Sequence, residues 1–443
     1  VTESTSSLRR QLWQQTWPMA IGVLALLGFQ LVDSAFIARL GTQPLAAQSF
    51  TFPLSFLIIG VQVGMGIAIA ALISRTLGAD DMARARRLGT LVLFGGSALM
   101  AVLMLIMWLA QTPLFTLLGA DTPTRALIRA YWGPQLLANW LGAVLYFGYS
   151  LFRAHGDTRL PGKLMVVTSL LNLGLDPLLI FGVGDWSGWG LPGAAWATAL
   201  AFAIGIWLLV RRLRSHDWLA RHGLRREVRE SSGPFVTIAG PAMVSQLMPP
   251  LSAMLATWVV AGLGETAVAA WGLASRLETL SLMVVLALTM SLPPWLGRCY
   301  GAGDWPRIEA LMMLAARTAA IWQLGLGIVM AVAAPWVAVA LSGNPEIRDE
   351  LAMLIRWLLP SYSLLGLCML VVSASNALGW PMRAMLLSFM RLFVCYLPCL
   401  ALGAWLAGVF GVAWGAALGN VLAGGLAWGI FRRSLKRRMV TTE

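Results

Sequence analysis

Pro18–Gly41 reads PMAIGVLALLGFQLVDSAFIARLG, and Pro241–Gly264 reads PAMVSQLMPPLSAMLATWVVAGLG. Both stretches open on proline, run through an apolar segment and close on Leu-Gly. The register continues downstream, where Leu77-Gly78-Ala79 recurs as Tyr300-Gly301-Ala302. One offset of 223 positions relates all three landmarks (241 − 18, 264 − 41, 301 − 78). Two long apolar segments and their turns are thus repeated without a gap, the signature of a chain built as two halves about a shared centre. The charges break that symmetry. Asp33 and Asp176 lie within apolar stretches of the first half, and the second half has no acid at the matching places.

Only 12% of the 443 residues are charged and 58% are hydrophobic. A soluble domain carries about 25% charged residues, so the composition describes a polytopic membrane protein. With about 20 apolar residues needed per crossing, the chain divides into spans near 16–38, 45–74, 91–112, 126–152, 164–183, 191–210, 235–261, 267–297, 310–341, 352–376, 385–407 and 412–431. The expected fold is therefore all-α: twelve transmembrane helices in two six-helix bundles. Residues 1–210 form the N-terminal bundle, 211–234 a cytoplasmic linker and 235–443 the C-terminal bundle. Six spans per half make equivalent helices run the same way, so the repeat axis lies along the membrane normal. A central cleft between bundles is the default path for a substrate.

The net charge of +13 raises the question of nucleic acid. Most basic residues, however, fall in alternate loops: Arg9-Arg10, Arg84 to Arg87, Arg153 to Lys163, Arg211 to Arg229, Arg298 to Arg307 and Arg432 to Arg438. That is the positive-inside bias, which places both termini in the cytoplasm and leaves no nucleic-acid surface to explain. The first apolar stretch is expected to be a retained span rather than a signal peptide. The linker has Trp218, Leu219, Leu224 and Val228 among its arginines and is expected to lie as an amphipathic helix on the inner leaflet. Four cysteines and three histidines offer no metal-ligand spacing, so no metal site is expected and the thiols read as reduced core residues.

Depth follows from direction of travel. Span one runs outward and ends near Leu40, which sets Asp33 roughly 10 Å below the outer end. The same count along spans four, five and six brings Tyr131, Asp176 and Thr198 to that level. Asn172 precedes Asp176 by four residues and shares its helix face. A carboxylate facing hydrocarbon costs about 2.5 to 3.5 kcal/mol, so these groups are expected to turn inward and bond one another. Two carboxyls in one low-dielectric pocket cannot both ionise cheaply, and a group that keeps or releases a proton there has the property a proton carrier needs. The competing reading is a buried network that only fixes helix packing, with the Tyr131 and Thr198 hydroxyls bonded to nearby carbonyls.

Twelve spans, a six-plus-six repeat, a long basic middle loop and the residues Pro18, Asp33, Tyr131, Asn172, Asp176 and Thr198 together resemble the multidrug and toxic compound extrusion family, in particular its DinF branch. The resemblance implies that the five polar residues form a cation-coupling network and that bending of span one at Pro18 accompanies the cycle. Related branches place an acid within span seven; Phe235 to Ala261 contains none, which points to coupling through the first bundle. The implied activity is a multidrug antiporter in the bacterial inner membrane. It exports amphipathic, often cationic drugs by alternating access, with H+ as the coupling ion and Na+ as the alternative, no cofactor, and a monomer sufficient for function.

In the second half, Glu278 and Arg391 come to similar depth on spans eight and eleven and are expected to form an interhelical pair. Met65, Met254, Trp258 and Met283 belong to spans that should flank the cleft, where adaptable thioether and aromatic surfaces suit varied ligands; packing in the core is the plainer reading. No phosphate-binding loop and no HExxH or Ser-His set appears, so ATP hydrolysis and membrane enzymology are not expected. A flippase for lipid-linked substrates shares the architecture but calls for a cationic cavity, and interior arginines are few.

Overall fold

The computed structural model describes residues 5–119, 121–220 and 222–440. Among the described residues nine helices are long and apolar enough to cross a bilayer, or ten when Glu265–Ser281 and Met283–Gly301, bent by 41°, are taken as one broken span. Thr122–Ala154, one unbroken helix of 33 residues that carries the polar Arg125, Arg129, Gln135 and Asn139, adds an eleventh. The run Pro381–Met439 leaves helical geometry at Ala407 and Gly408 and is two spans. Twelve membrane-length segments result, in the order expected.

They are α1 (Thr5–Ala38), α2 (Thr42–Gly78), α3 (Met82–Leu109), α4 (Thr122–Ala154), α5 (Arg159–Phe181), α6 (Leu191–Leu213), α7 (Leu224–Ala261), α8 (Glu265–Ser281 and Met283–Gly301), α9 (Trp305–Leu341), α10 (Pro345–Ala377), α11 (Pro381 to the break at Gly408) and α12 (onward to Val440). The repeat is visible in the backbone. Gly41 opens α2 with φ 112° and Gly264 opens α8 with φ 117°, a region that L side chains rarely adopt and that fixes glycine at both positions. α1 stays helical through Pro18.

The chain forms two compact units. One contains Ile21–Ala239; the other joins the residues up to Ala20 to those from Gly240 on. The first is filled by Ile37, Ile58, Met65, Trp132, Phe147 and Phe152, each almost wholly buried. The second closes over Leu354, Leu359, Tyr362 and Leu370 of α10, with Leu8 and Leu12 of α1 in the same core. Within this second unit the Thr16 and Ser291 hydroxyls are 3.1 Å apart. Small residues set the helix spacing, as lipid-embedded packing requires. A Cβ on Gly193 would overlap the Leu179 carbonyl, so α6 can approach α5 this closely only with glycine there.

The linker differs from expectation. Instead of a separate surface helix, residues 224–234 are the first turns of α7, which at 38 residues is about 57 Å long and outreaches a hydrocarbon core of about 30 Å. Trp218 packs on the protein: it stacks on His155 at 4.0 Å and meets Phe152 edge-on at 4.9 Å. Glu227 is fully buried and binds Arg84 Nε and Arg87 Nε, each at 3.0 Å, while the Ser231 hydroxyl donates to it at 2.6 Å. The Ala220 N–H donates to Thr90 at 2.9 Å. An aromatic anchor and a buried carboxylate thus fasten this segment to the basic ends of α3 and α4.

Candidate functional site

Four helices of the Ile21–Ala239 unit bring the sequence-predicted polar residues together. Asn172 and Asp176 lie one turn apart on α5, 2% and 0% exposed. The Asn172 amide is oriented by its neighbours: with its nitrogen toward Asp176 it donates to both carboxyl oxygens at 2.8 and 2.9 Å, and its oxygen accepts from the Thr198 hydroxyl at 2.8 Å. The opposite orientation would set the amide oxygen against a carboxylate. Thr198 reaches this position because α6 packs onto α5 at Gly193.

From α1, Asp33 brings its carboxyl beside that of Asp176. Two carboxyl groups so placed in low dielectric cannot both ionise cheaply. Tyr131 of α4, 4% exposed, stands beside Asp33. Asp33 and Tyr131 thus lie beside the bonded Asn172, Asp176 and Thr198 group. Pro18 lies fifteen positions before Asp33 on α1, apart from it.

Gln48 of α2 was missed. It lies beside Tyr131, is 6% exposed, and its Oε1 is buried without a partner among the described residues, as is Asp33 Oδ1. The depth count, carried along span two, finds it, because an amide near the outer end of an apolar run stands out as an acid does.

In the other unit, Glu278 is not in an ion pair with Arg391: among the described residues no cation lies within 4.0 Å of it. Its carboxylate instead accepts from the Tyr362 hydroxyl at 3.0 Å, and Arg391 acts through space. The reason is local geometry. α8 breaks just after Glu278, between Ser281 and Met283, and Arg391 lies on a π-helical stretch, Met390–Tyr396, whose wider turn re-aims its side chains. Gln323 donates to Ser281 at 3.3 Å beside the break.

The four residues proposed to flank a cleft separate by exposure. Met65 is 1% exposed and packs in its unit's core, whereas Met254 and Trp258 are 65% and 76% exposed on theirs. Met283, at the α8 break, packs half-buried against the core of the same unit.

Chemically, the Asp33–Asp176 cluster can hold one proton between two acids, donate to the ionised form through Asn172, and offer carboxyl, amide and hydroxyl oxygens in one small volume. The polar group of the second unit has a single carboxylate held by a phenol.

Comparison with known proteins agrees with this architecture. The MatE family matches twice, over residues 18–178 and 241–402, and the two matches start 223 positions apart (241 − 18). The crystal structure of a mutant of the Vibrio cholerae MATE transporter VcmN superposes with a TM-score of 0.94 at 45% identity, covering 98% of each chain. A Shewanella oneidensis protein named FAD transporter is 32% identical, over 95% of this chain and 93% of its own. The multidrug export protein MepA of Staphylococcus saprophyticus is 22% identical, over 92% and 90%. The chain therefore belongs to the MatE family of multi-pass membrane transporters.

Proposed function

We propose that this transporter is a proton-coupled antiporter of the DinF type, in which Asp33 and Asp176 carry the coupling proton and Asn172, Thr198 and Tyr131 tune its binding. The observation that supports the reading is the proximity of the two carboxyl groups, in a setting where ionising both is costly. Protonation from outside and release inside would alternate the cluster between a bonded pair and a separated one. Pro18, on the same helix as Asp33, removes a backbone bond and lets that helix bend as the pair changes state. The oxygens of the cluster also suit a hard cation, so Na+ is the alternative ion. Amphipathic, often cationic compounds are the cargo by kinship with relatives named multidrug export protein and probable multidrug resistance protein. Under this reading the protein works as a monomer in an inner membrane with both termini in the cytoplasm.

The test is ethidium transport in proteoliposomes under an imposed H+ or Na+ gradient, with Asp33→Asn and Asp176→Asn beside the wild type. Drive by H+ alone, lost in both variants, is expected. Drive by Na+ alone would keep the site and change the ion, while full H+ drive in either variant would refute the assignment.

A second cargo is favoured by one specific finding: the relative named FAD transporter is more similar over the full chain than the multidrug relatives are. An anionic dinucleotide would then be exported by the same coupling cluster. FAD counterflow in the same proteoliposomes separates the two, since an FAD exporter moves FAD whether or not ethidium is accepted.

A further inference from the structure

The two halves differ at three positions of one layer. Asp33, Gln48 and Tyr131 correspond, 223 positions on, to Ala256, Trp271 and Leu354 (256 − 33, 271 − 48, 354 − 131). The register holds at the helix starts, since Asp121 caps α4 and Asn344 caps α10 at the same offset (344 − 121). Ala256, Trp271 and Leu354 are all buried in the apolar core of their unit. In the first half the same places carry a carboxyl, an amide and a phenol. Gln48 is thus exchanged together with Asp33 and Tyr131, at a position where the fold accepts an aromatic ring.

α2 packs along α4, and Gln48 lies beside Tyr131, which in turn stands beside Asp33. Gln48 is 6% exposed, and its Oε1 has no partner among the described residues; Asp33 Oδ1 is in the same condition. Buried acceptors left without a donor are costly. The phenol has one proton to give and can turn it about the C–O bond without moving the ring. It can serve Asp33 or Gln48, not both at once. The charge on Asp33 decides between them. An ionised carboxylate is the stronger acceptor and draws the hydroxyl; a protonated one is weaker, and the hydroxyl turns to the amide.

We propose that Gln48 is a positioning residue of the coupling site, whose amide oxygen takes the Tyr131 hydroxyl when Asp33 is protonated and gives it up when Asp33 ionises. The proposal rests on the proton-coupled reading of that site. The phenol keeps its proton throughout and only its acceptor changes, while the coupling proton enters and leaves on the carboxyl pair. Gln48 thereby favours the protonated state. The other titratable neighbour of Asp33 is Asp176 on α5. The outer halves of α2, α3 and α6 hold no ionisable side chain. Arg39, which follows α1, and Arg129 of α4 are exposed, and Arg125 of α4 donates to the Thr116 and Thr122 hydroxyls.

The experiment is H+-driven ethidium transport in proteoliposomes, followed against pH on the proton-supplying side. Wild type is compared with Gln48→Met, Tyr131→Phe and the double variant. Methionine keeps the length of the side chain and removes the acceptor. Half-maximal drive in Gln48→Met should need about three- to tenfold more protons, the scale of one net hydrogen bond. Gln48→Leu repeats the test with a different packing shape and carries the same expectation. In the Tyr131→Phe background the Gln48→Met change should produce no further shift, because the switched donor is gone. An unmoved half-point in both Gln48 variants would overturn the proposal, and so would an equal shift with and without the phenol. Lost packing alone lowers the amount of folded protein and leaves the half-point in place. Full H+ drive in Asp33→Asn would refute the coupling reading itself. Drive lost in Asp33→Asn, with the half-point of the Gln48 variants unmoved, would refute this inference alone.

Discussion

The amide nitrogen of Asn172 lies 2.8 and 2.9 Å from the two carboxyl oxygens of Asp176, one helical turn further along α5. A donor so placed favours the ionised form of the acid, and a hydrogen bond to a charged group contributes about 1.5 to 3 kcal/mol. Asn172→Ala removes it while leaving α5 intact. Gradient-driven transport should fall by about tenfold or more on that energy scale, with the amount of folded protein in the membrane unchanged. Transport at the wild-type rate would show that the amide only packs.

Gly193 sets the distance between α5 and α6, and with it the Asn172–Thr198 bond. Gly193→Val places a branched side chain against the Leu179 backbone. Overpacking of this kind costs about 1 to 3 kcal/mol, so the melting temperature should drop and transport should fall with it. Thr198→Ala should reduce transport without the stability loss, which separates the helix contact from the hydroxyl.

Glu227 lies in the linker, before the membrane-embedded part of α7. Burial alone would raise its pKa, but hydrogen bonds from Ser231, Arg87 and Arg84 outweigh burial and hold it below the ordinary carboxylate range. A lowered carboxylate pKa stabilises the fold above the unfolded-state value and loses that contribution as pH falls through the folded value. The linker contact should therefore be complete at neutral pH and fail only in strong acid. Glu227→Gln should lower stability at pH 7 by about 1 to 3 kcal/mol, since both arginines are about a third exposed and water compensates in part. The difference from wild type, measured by thermal unfolding, should shrink towards pH 3.

Glu278 and Tyr362 should behave as a bonded pair. Glu278→Gln and Tyr362→Phe are expected to be non-additive in unfolding free energy by about 1 kcal/mol or more. Arg391→Gln should not rescue Glu278→Gln. Rescue would show an ion pair that forms in another state of the cycle.

The parts of the fold that are periodic or repeated could be read directly. A 223-residue offset and runs of twenty apolar residues are local statements, and they place the twelve segments and the Asp33, Tyr131, Asn172, Asp176 and Thr198 layer through helical rise alone. Features created by long-range contact could not. Glu227 looks like one acid in a basic, solvated run, and only the partners Arg84 and Arg87, some 140 residues away, reveal it as buried. Arg391 stays beyond salt-bridge distance of Glu278 for a similar reason: helical rise assumes regular helices, and both residues lie next to departures from one. Gln48 carries no charge to draw attention, although its depth marks it.

Coupling as proposed depends on Asp33 and Asp176 sharing one exchangeable proton. It is tested most directly by pH-difference infrared spectroscopy of the reconstituted protein, following the C=O stretch of protonated carboxyl groups. Wild type should show a titrating carboxyl band that is altered in both Asp33→Asn and Asp176→Asn, because the proton belongs to the pair. A band unchanged by either substitution would contradict the account.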